Sequence, residues 1–358
     1  MVDNRGKDLP GHKAMKELCI SLINALTGAV CAVIGAERFR RLAALFLSAS
    51  DKGAFATFSL RPRSADQVAT VSDSLKQAKR TGVILQGGLM NKDGFTLETL
   101  KIYKRLFRGQ PLILSTWKGE DEGVLRTARE LGAECVLSEK PPYAGVSNIN
   151  LQIVSSRAGV KKARELGCEY ALKTRTDQRI YAPDVDEYFR NLLDAFPVSG
   201  AASAQKKRIA GISLNTFKYR MYGLSDMTIF GHIDDMLLYW DISTDDRVFN
   251  KEEREAPRTL ASYSKWRVCE VYLATEFLKK IGRELRWTLA DSWSAFRDNF
   301  CVVDKEQLDL FWPKYGRAEY RWRSYRQNYR TQEITFRDWF NIYRGLDNRA
   351  IDERLLEQ

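Results

Sequence analysis

Lys173, Arg175 and Asp177 crowd the end of the segment "YALKTRTDQRIY" (170–181), where an apolar run breaks abruptly into polar and charged residues. Two cations and one carboxylate can hold a diphosphate in complementary ways. The cations pair with it directly, and the carboxylate can carry a hard divalent cation such as Mg²⁺ or Mn²⁺. The metal role would fall to Asp177 alone. The position matters because ligands of open α/β sheets sit at the carboxyl ends of strands.

Two further carboxylates qualify as proton acceptors. Asp226 precedes the apolar run "MTIFG", whereas Asp234 and Asp235 stand where a helix begins, and the helix dipole suffices to explain them. Glu270 lies between Cys269 and Val271, near Trp266 and Tyr272, so partial burial would let it take a proton near neutral pH. The competing reading of Glu270 is a salt bridge to Arg267 or another basic residue.

These residues need elements to hold them. "GVILQGG", "PLILSTW", "ECVLSEK" and "EYALKTR" are short apolar runs separated by helix-like stretches, the order expected of a mostly parallel sheet. Two joins are nearly identical, "ARELGAECVL" (128–137) and "ARELGCEYAL" (163–172). Each reads as a helix ending on Leu, a left-handed Gly and a strand. The helix predicted over 148–166 carries Ile149, Ile153, Val160 and Ala163 on one side, and Asn148, Gln152, Ser155 and Gly159 along another. That polar stripe is either an interhelix contact or a ligand-facing surface. The expected donor site therefore gathers Gln86 and Gly87 from "LQGG", Asn150 or Gln152 from the helix, and Lys173, Arg175 and Asp177. Segment 262–282 reads as one long amphipathic helix.

Composition bounds the rest. The chain has 358 residues, 44% hydrophobic and 11% aromatic, with a formal charge of +11, which describes a globular protein favouring an anionic partner. Six scattered cysteines with only His12 and His232 argue against a zinc site and for free thiols in a reducing, cytoplasmic setting. GxxxxGK[ST], GxGxxG and a serine nucleophile elbow are all missing from the sequence. "LCISLINALTGAVCAVIGA" (18–36) is apolar but interrupted by Ser21, Asn24, Thr27 and Gly28. It reads as a helix packed on the core, with interfacial attachment to a membrane and a true span as competing readings. From 313 to 344, eight basic residues stand against three acidic ones with aromatics interleaved. The preferred reading is a packed helix with a basic outer side able to face anionic phospholipid, ahead of nucleic-acid binding.

In order along the chain, "VILQGGL" (83–89), "LILSTWKGED" (112–121), "NINLQIVSSRAGVKKA" (148–163), "YALKTRTD" (170–177), "SDMTIFG" (225–231), "FLKKIG" (277–282) and "DNFCVVDKEQL" (298–308) resemble the WavE lipopolysaccharide synthesis family of bacterial glycosyltransferases. The resemblance implies a GT-A-like, Rossmann-like mixed sheet flanked by helices over 81–315. An N-terminal helical extension would cover 1–80, and a basic, aromatic-rich helical tail 316–358. It implies transfer of a sugar from a nucleotide sugar to a lipid-linked saccharide acceptor, on the inner face of the cytoplasmic membrane, with no nucleic acid involved. The "RTD" of this chain departs from a DxD motif, since Arg175 stands where a first acid would, so Arg175 and Lys173 would offset diphosphate charge themselves. Asp226 and Glu270 remain the candidate bases. The alternatives are a nucleic-acid-binding or scaffold protein using the basic tail, and a nucleotide-dependent phosphotransferase.

Overall fold

Seven strands pair into one mixed sheet in the computed structural model, which describes residues 10–50, 61–68, 80–198, 204–313, 329–345 and 353–357. The chain divides into two units, Met1–Arg61 and Pro62–Gln358.

The first unit contains helices α1 (Pro10–Ile34) and α2 (Ala36–Ser50), separated by Gly35 at φ +83°. Leu18, Leu22, Ile23, Leu26 and Val33 of α1 are exposed, as are Leu42, Leu45 and Phe46 of α2. This departs from the expectation of a core helix: among the described residues, the large apolar side chains of α1 stand exposed.

In the second unit, β1 (Thr81–Gln86), β2 (Leu112–Trp117), β3 (Glu134–Ser138), β4 (Tyr170–Arg175), β5 (Ile209–Ile212), β6 (Ile229–His232) and β7 (Phe300–Val303) stand in the order β3-β2-β1-β4-β6-β5-β7. All neighbours are parallel except β6, which runs antiparallel to both β4 and β5. β1 and β2 are buried along their whole length, so their sequences read as unbroken apolar runs rather than alternating ones.

The helices are α3 (Phe95–Leu106), α4 (Glu122–Glu130), α5 (Ile149–Glu165), α6 (Val185–Ala195), α7 (Ile233–Trp240), α8 (Lys251–Glu255), α9 (Leu260–Trp266), α10 (Cys269–Lys280), α11 (Leu289–Asn299) and α12 (Phe336–Tyr343). Both repeated joins behave as the sequence implies. Gly132 and Gly167 take φ +88° and +72°, and the next residue's N–H reaches back to Ala128 O and Ala163 O respectively, closing α4 and α5 before their strands. α5 lies tight on β1, because a Cβ at Gly159 would meet Ile84 Cγ2 at 2.6 Å. The polar stripe of α5 thus turns towards the sheet.

The long helix expected over 262–282 is instead broken into α9 and α10. Arg267 takes φ +57° and Val268 is extended. The break is held by the Arg267 guanidinium, which donates to Thr275 Oγ1 at 3.1 Å and Glu276 Oε1 at 2.5 Å. It puts Glu270 in the first turn of α10. α12 closes the far end: Trp339 is fully buried, and its Nε1 donates to Phe296 O and Phe300 O. The basic stretch 314–328 and the side chain of Tyr329 lie outside the described residues, and with them most of the packed helix with a basic outer side expected there.

Candidate functional site

From β1 the chain moves outward to β2 and β3, then returns across β1 to set β4 on its other side. The carboxyl ends of β1 and β4 therefore flank a topological switch point, where the loops diverge and leave a crevice. Gln86 and Arg175 are register partners there. Because β6 alone is antiparallel, its amino end lies at this same edge, and the residues before it, Asp226 and Met227, join the crevice.

The resulting cleft has a volume of about 750 Å³. One wall comes from the first half of the sheet: Gln86 to Gly88, Trp117, the α5 entry at Ser147, Asn148, Leu151 and Gln152, and Arg175 to Asp177. The other comes from Asn215, Phe217 and Arg220 after β5, Arg258 to Glu270 around α9 and α10, and Trp312, Arg330 and Thr331.

Of the nine residues singled out in the sequence, seven line this cleft: Gln86, Gly87, Gln152, Arg175, Asp177, Asp226 and Glu270. Gln86 Nε2 donates to Ser155 Oγ at 2.8 Å, which locks its amide against α5. Gly87 takes φ +123°, and a Cβ there would sit 3.1 Å from Thr176 Oγ1, so only glycine gives this turn its shape. Arg175 donates through Nε and Nη2 to both oxygens of Asp177, at 2.8 and 2.9 Å, and lies 5.9 Å from the Trp312 ring centre. Burial opposes its charge, but the Asp177 carboxylate more than offsets this and raises its pKa.

Lys173 and Asn150 do not line the cleft. Lys173 is fully buried behind it, donating to Gln152 Oε1 at 3.0 Å and Asp226 O at 2.5 Å, beside the Trp240 ring at 5.1 Å. Burial pushes its pKa down to about 8, against the pull of Asp226. It is a strut, out of reach of a diphosphate in the cleft. Asn150 ties loops together instead: its amide donates to Tyr143 O and Asp245 O and accepts from Asp245 N. The physical reason is periodicity, since residues two apart on a helix point about 200° apart and Gln152 already faces the cleft.

Asp226 Oδ2 accepts from the Cys269 thiol at 3.2 Å. Glu270 Oε1 accepts from Asn215 Nδ2, and its Oε2 lies 3.7 Å from Arg220 Nη1. Burial raises the Glu270 pKa; Arg220 works against this and Asp226 adds to it. The Glu270 partner is thus Arg220, while Arg267 is taken by Glu276.

A resident divalent ion does not fit this donor set. The strand end offers the single carboxylate of Asp177, with both oxygens engaged by Arg175, and no group of three His, Cys, Asp or Glu that could hold a metal occurs among the described residues. The second wall was the part missed in the sequence. Arg220 is buried against the Phe217 ring at 4.6 Å, and Arg258 lies over Trp266 at 4.2 Å. Asn215 takes φ +69°. The signal for Arg220 was its closeness to Asp226 in the chain.

A family model described as WavE lipopolysaccharide synthesis matches residues 82–356. No curated protein matches. Among solved structures, a glycosyltransferase involved in glycosylation of the major capsid of PBCV-1 is 12% identical, with 67% of this chain and 98% of that one covered and a TM-score of 0.32. Mouse xyloside xylosyltransferase 1 is 9% identical, with 63% and 86% covered and a TM-score of 0.33. CMP:2-keto-3-deoxy-manno-octonic acid synthetase complexed with CTP is 11% identical, with 47% and 80% covered and a TM-score of 0.30.

Proposed function

The chain belongs to the WavE lipopolysaccharide synthesis family, and from that premise we propose that it is a glycosyltransferase moving a sugar from a nucleotide-sugar donor to a lipid-linked saccharide acceptor. The observation that carries the reading is the switch-point crevice in which Gln86, the Gly87 turn and the Arg175–Asp177 pair meet two carboxylates from the opposite wall.

The chemistry suits sugar transfer. The glycosidic bond to a nucleoside diphosphate breaks with charge developing on the leaving phosphate, and a guanidinium fixed in a nearly dry position stabilises that charge without reorganising. Arg175 is such a group, held flat by a bidentate carboxylate. The Gly87 turn lets backbone approach the phosphates closely. A carboxylate on the far wall can take the proton of the acceptor hydroxyl. Aromatic and guanidinium groups on that wall, among them Phe217, Tyr263 and Arg258, suit a saccharide.

The acceptor's lipid is supported by α1 and α2. Residues Glu17–Ile34 are long and apolar enough to cross a bilayer, and Arg38, Arg40 and Arg41 follow on α2, matching an anionic membrane surface. Attachment to the inner face of a cytoplasmic membrane completes the proposal.

The test is a thermal-shift panel of UDP-, GDP-, CMP- and dTDP-sugars, each with and without Mn²⁺. A donor at a hundredfold excess over its Kd should add about 2.7 kcal/mol of stability, which raises the melting temperature by roughly 4 °C in a domain of this size. A flat response to every sugar nucleotide, together with salt-sensitive binding of an oligonucleotide, would replace this reading with a nucleic-acid-binding one.

A further inference from the structure

Besides Asp177, which Arg175 engages, two carboxylates face the cleft, and their surroundings differ. Glu270 is clamped at both oxygens, by Asn215 Nδ2 and by the Arg220 guanidinium. Asp226 is held on one side only. Its Oδ2 accepts from Cys269 Sγ at 3.2 Å and its backbone carbonyl from Lys173 Nζ at 2.5 Å, while Oδ1 has no hydrogen-bond partner among the described residues. Nor is Oδ1 among the sealed polar atoms of the interior, although Asp226 as a whole is only 5% exposed. The open atom of a nearly buried carboxylate thus faces the cleft.

Resting on the glycosyltransferase reading, we propose that Asp226 is the catalytic base for the acceptor hydroxyl, that Lys173 and Cys269 are its positioning residues, and that Glu270 is the counter-ion fixing Arg220. A general base needs a carboxylate oxygen within hydrogen-bond reach of the proton it takes. Asp226 Oδ1 meets that requirement without breaking any existing bond, and Glu270 would have to release Asn215 or Arg220 first. The thiol is a durable donor: burial raises the Cys269 pKa well above the usual range, and Asp226 and Glu270 raise it further. Lys173 anchors the backbone of the base to β4 and, through Gln152, to α5. A positioning role also accounts for a fully buried lysine at the end of a strand that needs no cation there for packing.

The step balances in one displacement. The acceptor proton passes to Asp226 Oδ1, the acceptor oxygen bonds to the anomeric carbon, and the bond from that carbon to the diphosphate oxygen breaks. Its electron pair leaves on the nucleoside diphosphate, opposite Arg175. One displacement inverts the anomeric centre. The charged and titratable groups felt at Asp226 are Lys173 and Arg175 from β4, Tyr239 from α7, and Cys269 and Glu270 from α10.

The experiment follows nucleotide release at about pH 7.5 from whichever of UDP-glucose, UDP-galactose, GDP-mannose and dTDP-rhamnose the full chain turns over, with water as acceptor. Asp226→Asn should lose at least about 100-fold in kcat while the stabilisation by the free nucleoside diphosphate is unchanged. Glu270→Gln should lose less. Cys269→Ala removes a donor that orients the carboxylate and should lower kcat about tenfold with KM unchanged, and Cys269→Ser, which keeps a donor, should restore it. A kcat unchanged in Cys269→Ala, or not restored in Cys269→Ser, would overturn the assignment. So would an active Asp226→Asn beside an inactive Glu270→Gln, or a released sugar of retained configuration. A parent chain that turns over none of the four donors overturns the glycosyltransferase reading, and the base assignment falls with it.

Discussion

Removing the charge of Asp177 tests whether this residue acts through Arg175 or on its own. The pair is bidentate at 2.8 and 2.9 Å, with both side chains 18% exposed. At an effective dielectric of about 20 the bare attraction of two such charges is roughly 4 kcal/mol, and desolvation returns much of it. Asp177→Asn should therefore lose about 1–3 kcal/mol of stability, the usual worth of hydrogen bonds to a charged group, and melt roughly 2–5 °C lower. Activity per folded molecule should fall at least about tenfold, or roughly 1.4 kcal/mol of transition-state stabilisation. The decisive measurement is the double-mutant cycle with Arg175→Met, read as kcat/KM for nucleotide release. If Asp177 serves only to hold the guanidinium against the leaving phosphate, the double variant loses no more than Arg175→Met alone, and the coupling energy equals the whole effect of Asp177→Asn. Additive losses would refute that account and give Asp177 a contact of its own with donor or metal. Full activity in the folded Asp177→Asn variant would make the pair purely structural.

Three other outcomes are expected. The Lys173 pKa is lowered to about 8 from an ordinary 10.5. Between those values the unfolded chain binds the extra proton, so stability from this group is lowest below pH 8 and recovers as pH rises, by up to about 3 kcal/mol. Urea unfolding at pH 7.5, 8.5 and 9.5 should show that rise in the parent and lose it in Lys173→Met; parallel curves would contradict the buried charge. Asn150→Ala leaves Tyr143 O, Asp245 O and Asp245 N unsatisfied. It should cost about 1–3 kcal/mol of stability while the donor-induced rise in melting temperature persists, whereas a lost donor response would return Asn150 to the binding site. Leu22→Glu with Leu26→Glu, on the exposed face of α1, should abolish flotation with vesicles rich in anionic lipid and leave melting unchanged; flotation that survives would separate α1 from the membrane.

The parts of the fold legible in the sequence were those fixed by local rules. Apolar runs buried on both faces and left-handed glycines at 132 and 167 depend on a few neighbours, and β1, β2, β4 and two helix ends follow from them. The site was legible to the extent that strand ends announce themselves by a sudden change to polar residues, which is how Gln86, Arg175 and Asp177 came together. Lys173 and Arg175 looked equivalent because the sequence cannot say what lies above each. Trp240 and Gln152 close over the first, from 67 and 21 positions away, while Trp312 stands beside the second. The break at Arg267 had no glycine or proline to mark it, being held by side-chain bonds to the following helix. The second wall stayed hidden for the same reason: its residues converge only after the chain has formed β5, β6 and α10.

The one antiparallel strand explains why the two sides of the chemistry are held at a set distance. In a wholly parallel sheet, every loop at the carboxyl edge follows its strand, and facing groups are spaced by flexible connections. Here β4 and β6 are hydrogen-bonded neighbours, with Lys173 opposite Ile229. Arg175 lies two residues beyond that pair and Asp226 three residues before it, so the cation at the leaving phosphate and the proposed base extend from a single ladder. Lys173 then ties the Asp226 carbonyl back to β4. Displacing either group by 1 Å, which can cost about a hundredfold in rate, would mean deforming the ladder itself. Apart from Asp226, the far wall has no such constraint, since Asn215 and Arg258 sit on connecting segments and Arg330 on a short turn. Variation or movement there can alter which acceptor enters while the spacing between leaving group and base is preserved.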